Sequence, residues 1–487
     1  MREKLVRGRL AAGLYDAWQL RPARTGLLAT FLIVLGSLTP AYLPQNSPWW
    51  GPLRAWHLNT TGVKILGTGL VIAGIGLLVD AWFRLRPSAQ GEVQHWAVLT
   101  IWSLPLIGSP PTFSHDAYSY AAQGWMLVNG VNPYEAGPGV LPGAFADQVA
   151  WVWRFTPAPY GPLSLVMSQG IVVLSGLQPY LSTVLMRLPA LVGVALIVGL
   201  LPRIADRFGI DRRNTAWFAS LNPLLVIDFV GGAHNDALMM GLVVLAVWLS
   251  CQGRFWLLGA ATVGVAATIK QPAFLTAYAL PLITQPLDGW AKGRIARTVA
   301  RIAASCATSI ATFSLISLAT GLGFGWLKAV NVPGLVVTVS PFTLVGQGIQ
   351  LVLNYFQLDR TEHAAIRYSR TVGLVISAAG TLLMAVTVAR RRPIAFLSWS
   401  YLLIAFGGPA LHSWYVLWGS LLLPLTNPSR RLARVALWTT IVLLCYSAVN
   451  LAWRNGALAL GIAALGGFWW QLNHHERAES RRSEEDR

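Results

Sequence analysis

The sequence has few charged residues. Asp, Glu, Lys and Arg make up 11% of its 487 residues, whereas hydrophobic residues make up 54%. Because soluble domains are about one quarter charged, this composition excludes a water-soluble globular fold. Acidic residues are the scarcest, with 19 Asp and Glu against 37 Lys and Arg. In a membrane protein such a basic excess is typical of cytoplasmic loops, so we expect membrane lipids as partners and no nucleic acid.

Cysteine is also scarce. Cys251, Cys306 and Cys445 lie in or beside apolar runs, without the spacing of a disulfide framework or a metal site. No appended soluble domain or fixed-period repeat is visible, which indicates one polytopic unit. Glycine, proline and tryptophan are abundant, at 46, 28 and 22 residues. They are typical of closely packed, locally broken transmembrane helices with aromatic anchors at the interfaces.

Apolar runs bounded by charged or turn residues predict an all-α polytopic fold with about fourteen transmembrane helices, in a range of about thirteen to sixteen. A span needs about 20 apolar residues, and tilt or an internal proline relaxes that length. The predicted spans are 25–43, 62–82, 95–109, 181–201, 214–230, 237–251, 255–269, 272–284, 298–320, 371–389, 394–409, 414–426, 433–452 and 457–472. Whether 162–177 and 334–356 cross the membrane stays open.

Clusters of Lys and Arg set the predicted sidedness, because they favour the cytoplasmic side. The cluster at 203–213 and the triplet 390–392 belong there, and alternation of the spans then places both termini in the cytoplasm. We therefore expect a plasma-membrane protein with an N-terminal segment 1–24, a single membrane domain 25–472 and a disordered charged tail 473–487.

Residues 110–160 then form an outer loop, which is long and rich in Pro, Gly, Trp and Tyr and should be partly folded. Within it, Asp116 begins a stretch with apolar residues at helical spacing, which predicts an amphipathic helix lying on the membrane. An Asp at this place either caps the helix or serves as a general base toward a hydroxyl nucleophile. Composition leaves both interpretations open.

Four short polar stretches interrupt the apolar chain, and the predicted sidedness places all four at the outer face. They are Ser114–Tyr120, Gly231–Asp236, Lys270–Pro272 and Gly407–Tyr415. This convergence predicts a functional site there.

The second of these stretches ends in His234, Asn235 and Asp236. The three side chains can hydrogen-bond a polyhydroxylated ligand, or Asp236 can cap the next helix. His234 with Asp236 is a weak signal for a metal because no third ligand is evident.

Three basic residues on the outer side are candidates for binding a phosphate: Arg154, Arg187 and Lys270. Ionisable groups inside spans are costly and often functional, although a Lys at the end of a span also reaches water by extending along the helix. His412, Trp414 and Tyr415 either stack on a sugar or prenyl unit or form an interfacial aromatic belt.

Together these motifs resemble the actinobacterial polyprenol-phosphate-mannose-dependent α-(1→6)-mannosyltransferases over roughly residues 25–470. The matching segments are His115–Tyr120 with Asn132–Tyr134, Thr156–Leu163, Asn222–Pro223, Gly231–Leu238 and Leu411–Tyr415. Ser413 stands where we would expect a proline in this family. The resemblance implies a glycosyltransferase of the C type, with many spans and a catalytic Asp in the first large outer loop.

For this chain the resemblance implies inverting transfer of mannose from polyprenyl-phosphate-mannose to a lipomannan- or lipoarabinomannan-type glycolipid, with Asp116 as the catalytic base. The other motif residues would bind substrate: His115, Tyr118, Tyr120, Arg154, Tyr160, Arg187, His234, Asn235, Asp236, Lys270, His412, Trp414 and Tyr415. A lipid-phosphate donor needs no metal, and the chain has no Asp-x-Asp pair. We therefore expect no metal and no cofactor.

Two other classes of function remain in view, along with a related transferase for another sugar such as arabinose. A lipid or glycan transporter would place its polar residues near mid-membrane in two similar halves, whereas here they cluster at one face. A scaffold that presents a lipid-linked glycan to another enzyme would not need Asp116.

Overall fold

The computed structural model describes residues 2–44, 46–87, 93–287, 291–329, 332, 339–358 and 363–485. These residues form α-helices with short π-helical and 3-10 segments and contain no strand. Because the helices are apolar and follow one another through most of the chain, the protein is an all-α polytopic membrane protein.

The N-terminal part is a group of helices packed around α2. They are α1 (Arg2–Gln19), α2 (Arg21–Ser37), α3 (Trp50–Ala55), α4 (Thr61–Arg84) and α5 (His95–Ile107). Helix α2 has a proline in its first turn, where the missing N–H costs nothing. It packs against α4 and α5, and the Trp102 indole on α5 donates to the Ala23 carbonyl of α2.

The predicted outer loop is folded. It contains the helices α6 (Asp116–Val128), α7 (Ala144–Asp147) and α8 (Trp151–Arg154), followed by α9 (Pro162–Leu174). These helices have a small core of their own, which includes Tyr120, Phe145 and Val172.

Helix α6 lies at the predicted position but differs from the predicted amphipathic surface helix, because none of its residues is exposed. Its small residues allow neighbours to approach from several sides. A Cβ atom on Gly124, for example, would lie 2.5 Å from the backbone of Ser168 in α9.

The central part contains seven helices and one sharp break. The helices are α10 (Pro179–Leu185), α11 (Arg187–Arg207), α12 (Arg212–Ser220), α13 (Asp236–Cys251), α14 (Trp256–Ala267), α15 (Leu275–Thr284) and α16 (Lys292–Ala319). A π-helical segment, Leu225–Gly231, precedes α13 and is bent by 111° from it. Short π-helical turns of this kind are frequent at functional sites.

Helices α11 and α13 approach closely because both carry glycine at the crossing. A Cβ atom on Gly193 would lie 2.1 Å from the Ala237 carbonyl oxygen. This contact fixes the start of α13, where three of the predicted site residues lie.

The C-terminal part consists of α17 (Pro341–Tyr355), α18 (Ala364–Thr387), α19 (Pro393–Gly407), α20 (Ser413–Ser420), α21 (Arg430–Trp453) and α22 (Gly456–Glu485). Helix α22 continues to Glu485, whereas the sequence predicted a disordered tail from residue 473. Residues 473–485 contain no Gly or Pro to end the helix and are rich in Glu and Arg, which favour it.

Every predicted span overlaps helical residues, although spans such as 25–43 and 414–426 also include turns. Among the described residues, five helices are long and apolar enough to cross a membrane, or six if the bent pair counts as one span. Five further apolar helices are shorter, and the number of crossings stays a prediction. Of the uncertain segment 334–356, residues 334–338 lie outside the described residues, and the remainder contains α17.

Candidate functional site

The breaks between helices meet at one cavity of about 300 Å³. Three of the four predicted polar stretches contribute directly to its wall, through Asp116, through Lys270 with Gln271, and through His412 with Tyr415. Tyr160, which precedes α9, also lines it. The fourth stretch, at the start of α13, lies behind this wall and supports it.

Asp116 stands at the first turn of α6 and is not used as a cap. No side-chain hydrogen bond caps this helix, and the backbone N–H of Asp116 itself donates to the Ser114 hydroxyl at 3.1 Å. The carboxylate of Asp116 is 18% exposed and lies 3.7 Å from the Nδ1 atom of His234. It is therefore available to a substrate in the cavity.

The protein surroundings make Asp116 a better base than an ordinary Asp. Burial raises the pKa of Asp116 to about 6, and the charge of Asp236 adds to this, whereas Lys270 and the Ser114 hydroxyl oppose it. A base is most effective when its pKa lies near the working pH. At neutral pH the carboxylate is ionised and can accept a proton.

Lys270 is the basic residue of the cavity. Its Nζ donates to both oxygens of Asp236, at 2.9 and 2.8 Å. Asp236 is fully buried and also accepts the Trp418 indole N–H at 2.7 Å. Asp236 therefore anchors Lys270 and does not cap α13, for which no side-chain cap bond is present.

Three aromatic rings surround the Lys270 ammonium group. Its Nζ lies 4.7 Å from the ring centre of Tyr415, 5.5 Å from that of Trp418 and 5.9 Å from that of Tyr160. Gly161 permits this arrangement, because a Cβ atom there would lie 2.2 Å from the Thr268 carbonyl oxygen. Cation–π attraction in a partly desolvated site keeps the ammonium group in place.

A stack of rings forms the wall beside Asp116. Trp414 lies between His234, at 3.7 Å between ring centres, and His412, at 4.4 Å. Burial, together with the charge of Lys270, lowers the pKa of His412 to about 3, so this imidazole is neutral. Neither ring nitrogen of His234 has a hydrogen-bond partner among the described residues.

The structure separates the three candidates for phosphate binding. Lys270 lines the cavity, whereas Arg154 pairs with Asp147 outside it. Arg187 is 2% exposed and donates to backbone carbonyls, at 3.1 Å to Val230 and 2.8 Å to Gly231. Arg187 thus joins α11 to the π-helical segment, and among these three residues only Lys270 can meet a ligand in the cavity.

Replacing Arg187 with Lys should lower stability without changing substrate affinity. Lys cannot reach carbonyls of Val230, Gly231 and Pro110 at once, as the guanidinium does. The loss should amount to about 2 kcal/mol or more, read as a lower Tm of the purified protein. Arg203→Lys, an exposed position on the same helix, is the control. An unchanged Tm with a raised KM for a substrate would contradict this role.

The remaining predicted residues support the site from behind. The Asn235 amide donates to the Ser164 hydroxyl at 3.1 Å, and Tyr120 packs edge-on against Tyr160 at 5.0 Å. The His115 ring forms a hydrogen bond with the Tyr42 carbonyl at 2.7 Å, and the Tyr118 ring packs edge-on against the His115 ring.

Sequence reasoning missed several residues of the cavity wall. They are Gln123, Trp153, Trp326 and Trp418. Trp418 was detectable, because it lies one helical turn beyond Trp414 and Tyr415. Trp153 and Trp326 come from segments with no polar motif, so only the fold brings them to the site.

The fold and the site together define an integral membrane protein with a carboxylate and an ammonium group facing one cavity. The family described as "Alpha-(1->6)-mannopyranosyltransferase, N-terminal domain" matches residues 23–285, and the one described as "MptB C-terminal domain" matches residues 342–475. The chain belongs to the α-(1→6)-mannopyranosyltransferase family and is a mannosyltransferase.

Relatives in three organisms share most of the chain. Alpha-(1->6)-mannopyranosyltransferase A of Mycobacterium tuberculosis is 33% identical over 442 residues, which cover 87% of this chain and 84% of the relative. A "Probable alpha-(1->6)-mannopyranosyltransferase" of Mycolicibacterium smegmatis is 32% identical, covering 88% and 84%. Alpha-(1->6)-mannopyranosyltransferase A of Corynebacterium glutamicum is 30% identical, covering 67% and 73%.

Proposed function

We propose that the protein transfers mannose from polyprenyl-phosphate-mannose to a mannose hydroxyl of a lipomannan- or lipoarabinomannan-type glycolipid and forms an α-(1→6) linkage. The observation that carries this proposal is that Asp116 and Lys270 face the same cavity. One supplies a base for the acceptor hydroxyl and the other a cation for the departing phosphate.

The proposed reaction is a single displacement. The acceptor hydroxyl oxygen attacks the anomeric carbon of the donor, its proton passes to the Asp116 carboxylate, and the bond from the anomeric carbon to the phosphate oxygen breaks. The electron pair of that bond leaves with the polyprenyl phosphate, whose charge Lys270 stabilises. Inversion turns a β-linked donor into an α-linked product, and the step requires no metal and no cofactor.

The apolar part of the cavity wall supports a lipid-linked donor. Besides Lys270, the wall includes Trp326, Ala329, Val332, Leu374 and Ile404. Leu374 belongs to α18, whose apolar residues are mostly exposed on the protein surface and would face lipid. A prenyl chain can therefore leave the cavity sideways into the bilayer while its phosphate stays beside Lys270.

We further propose that the site opens on the extracytoplasmic side of the plasma membrane, with both termini in the cytoplasm. The distribution of Lys and Arg supports this orientation, since the basic clusters 203–213 and 390–392 lie on the side opposite to the polar stretches in the predicted topology.

The purified protein in lipid nanodiscs tests the donor and the linkage together. It is given radiolabelled polyprenyl-phosphate-mannose or the nucleotide-linked sugar with a short α-(1→6)-mannoside, and the product is digested with linkage-specific mannosidases. We expect label from the lipid donor alone, in an α-(1→6) bond. Transfer from polyprenyl-phosphate-arabinose instead would identify a different C-type transferase. In proteoliposomes, movement of intact donor across the bilayer without transfer would identify a transporter.

The pH dependence follows from the raised pKa of Asp116. Protonation of this carboxylate below pH 6 removes the base, so kcat/KM should fall about tenfold per pH unit below a midpoint near 6. Initial rates between pH 5 and 8 measure this, with the folded fraction monitored by gel filtration at each pH. A rate that is constant over this range, or that rises as the pH falls, would contradict the assignment of Asp116 as base.

A further inference from the structure

A second cavity, of about 260 Å³, also borders Asp116. It shares Asp116, Trp153 and His412 with the first cavity, and the remainder of its wall is different. A carboxylate that borders two cavities can contact one ligand in each. This is the geometry that a reaction between two separate substrates requires.

One wall of the second cavity is formed by α21 and the residue that follows it. Ser447 and Asn450 lie three residues apart on one side of the helix, with Leu443, Tyr446 and Leu451 beside them, and Arg454 lines the cavity just after the helix ends. The rest of α21 after its first turn is largely apolar. No side-chain hydrogen bond joins Asn450 or Arg454 to another described residue, although each has donors at the cavity.

The backbone holds Arg454 in an unusual conformation. Its φ is +49°, in the left-handed region, and its N–H donates to the Asn450 carbonyl at 2.8 Å where α21 ends. A residue with a Cβ atom adopts this conformation at a cost, and such strain is concentrated at binding sites. Arg454 lines the same cavity as His115, whose pKa is lowered first by burial and further by the charge of Arg454.

The two cavities differ in the ligand that they fit. The first combines Lys270 with many apolar lining residues and suits a lipid phosphate. The second combines hydroxyl, amide and guanidinium groups with the aromatic rings of Trp153 and Trp414. Polar donors beside aromatic faces suit a polyhydroxylated ring, whose hydroxyls accept hydrogen bonds while its apolar face packs against tryptophan.

We propose that the second cavity binds the acceptor saccharide, with Asn450 and Arg454 donating hydrogen bonds to hydroxyls of the acceptor mannan and so presenting its terminal hydroxyl to Asp116. This inference rests on the proposed function. It adds a specificity site on α21 and assigns the two substrates to the two cavities that the carboxylate borders.

Binding of a short α-(1→6)-mannoside, without any donor, tests this assignment. It is followed in nanodiscs by tryptophan fluorescence, since Trp153 and Trp414 line the cavity. We expect saturable binding to the wild type, weakened about tenfold or more by Arg454→Asn and by Asn450→Ala. Asn suits position 454 because it adopts the left-handed conformation readily. Asn450→Ala keeps the helix and provides a second variant that does not depend on that turn.

Arg434→Gln and Lys270→Gln are the comparison variants. Arg434 is an exposed arginine of the same helix and lines neither cavity, so its variant should bind the mannoside as the wild type does. Lys270→Gln should raise the KM for the lipid donor and leave mannoside binding unchanged. The α21 variants should raise the KM for the acceptor and leave that for the donor within about twofold.

Two results would overturn this inference. In the first, the folded α21 variants bind the mannoside as tightly as the wild type does. In the second, the wild type transfers mannose but shows no binding of the mannoside alone at concentrations up to the KM for the acceptor. If instead the α21 variants raise the KM of the donor and Lys270→Gln abolishes mannoside binding, the two substrates occupy the opposite cavities. If the wild type binds the mannoside and the α21 variants bind it more weakly, but no mannose is transferred, the acceptor cavity is supported. Only the proposed transferase reaction is then contradicted.

Discussion

Asp116→Asn is expected to reduce mannosyl transfer by about 100- to 10,000-fold, the contribution typical of a positioned general base. The substitution removes the proton acceptor and preserves the size of the side chain. It should not unfold the protein, because Asp116 makes no cap bond and its carboxylate lies 3.7 Å from the Nδ1 atom of His234, which is beyond hydrogen-bond distance. Single-turnover rates with saturating donor and acceptor measure the chemical step directly.

The matched control is Asp147→Asn. Asp147 lies in the same folded loop and pairs with Arg154, but it lines neither cavity. We expect near-wild-type transfer from Asp147→Asn. Asp116→Asn should elute from gel filtration at the same volume as the wild type, which would show that it is folded. Full activity of a folded Asp116→Asn protein would show that Asp116 is not the base, and Asp236 would be the next carboxylate to replace.

The positions of the helices could be predicted from the sequence because apolar length is a strong signal in a membrane protein. The predicted span 62–82 corresponds to α4 (Thr61–Arg84), and 237–251 corresponds to α13 (Asp236–Cys251). Helix α6 was located but its surroundings were not. The helical spacing of its apolar residues is visible in the sequence. Its burial is not, because it depends on small residues that contact α9, a helix distant in sequence.

The polar stretches identified the elements of the site but not the roles of individual side chains. Lys270 and Arg187 look alike in sequence, since each is a single cation in or beside an apolar run. They differ in the structure because Arg187 faces the carbonyl oxygens of a π-helical turn, while Lys270 faces Asp236 and a cavity. A π-helical turn has no sequence signature that we recognised, so the use of Arg187 could not be foreseen.

The contribution of α21 was hidden for another reason. Ser447 and Asn450 lie in an apolar span where single small polar residues commonly bond neighbouring helices. Arg454 resembles an ordinary basic residue between two helices. Only the fold brings these three residues to the second cavity beside Asp116.

Removal of the Lys270 charge is the second substitution with a large expected effect. Lys270→Met should lower kcat by about 100- to 1000-fold, because a fixed cation stabilises the charge that develops on the phosphate as it leaves, and it should also raise the KM for the lipid donor. It should also destabilise the protein by about 3 to 5 kcal/mol, since the fully buried Asp236 carboxylate loses its partner. Lys64→Met is a control outside both cavities; Lys64 lies over the Trp453 ring at 4.3 Å.

A double variant separates the two effects of Lys270. In Lys270→Met/Asp236→Asn the buried charge is gone, and the amide oxygen of the substituted side chain still accepts the Trp418 indole N–H, which bonds Asp236 at 2.7 Å in the wild type. Stability, measured as Tm, should therefore recover most of the loss caused by Lys270→Met, while transfer stays low. If transfer recovers together with Tm, Lys270 only neutralises Asp236 and another group must receive the phosphate. If neither recovers, the loss is structural, because the three rings around Lys270 need a cation to hold their positions.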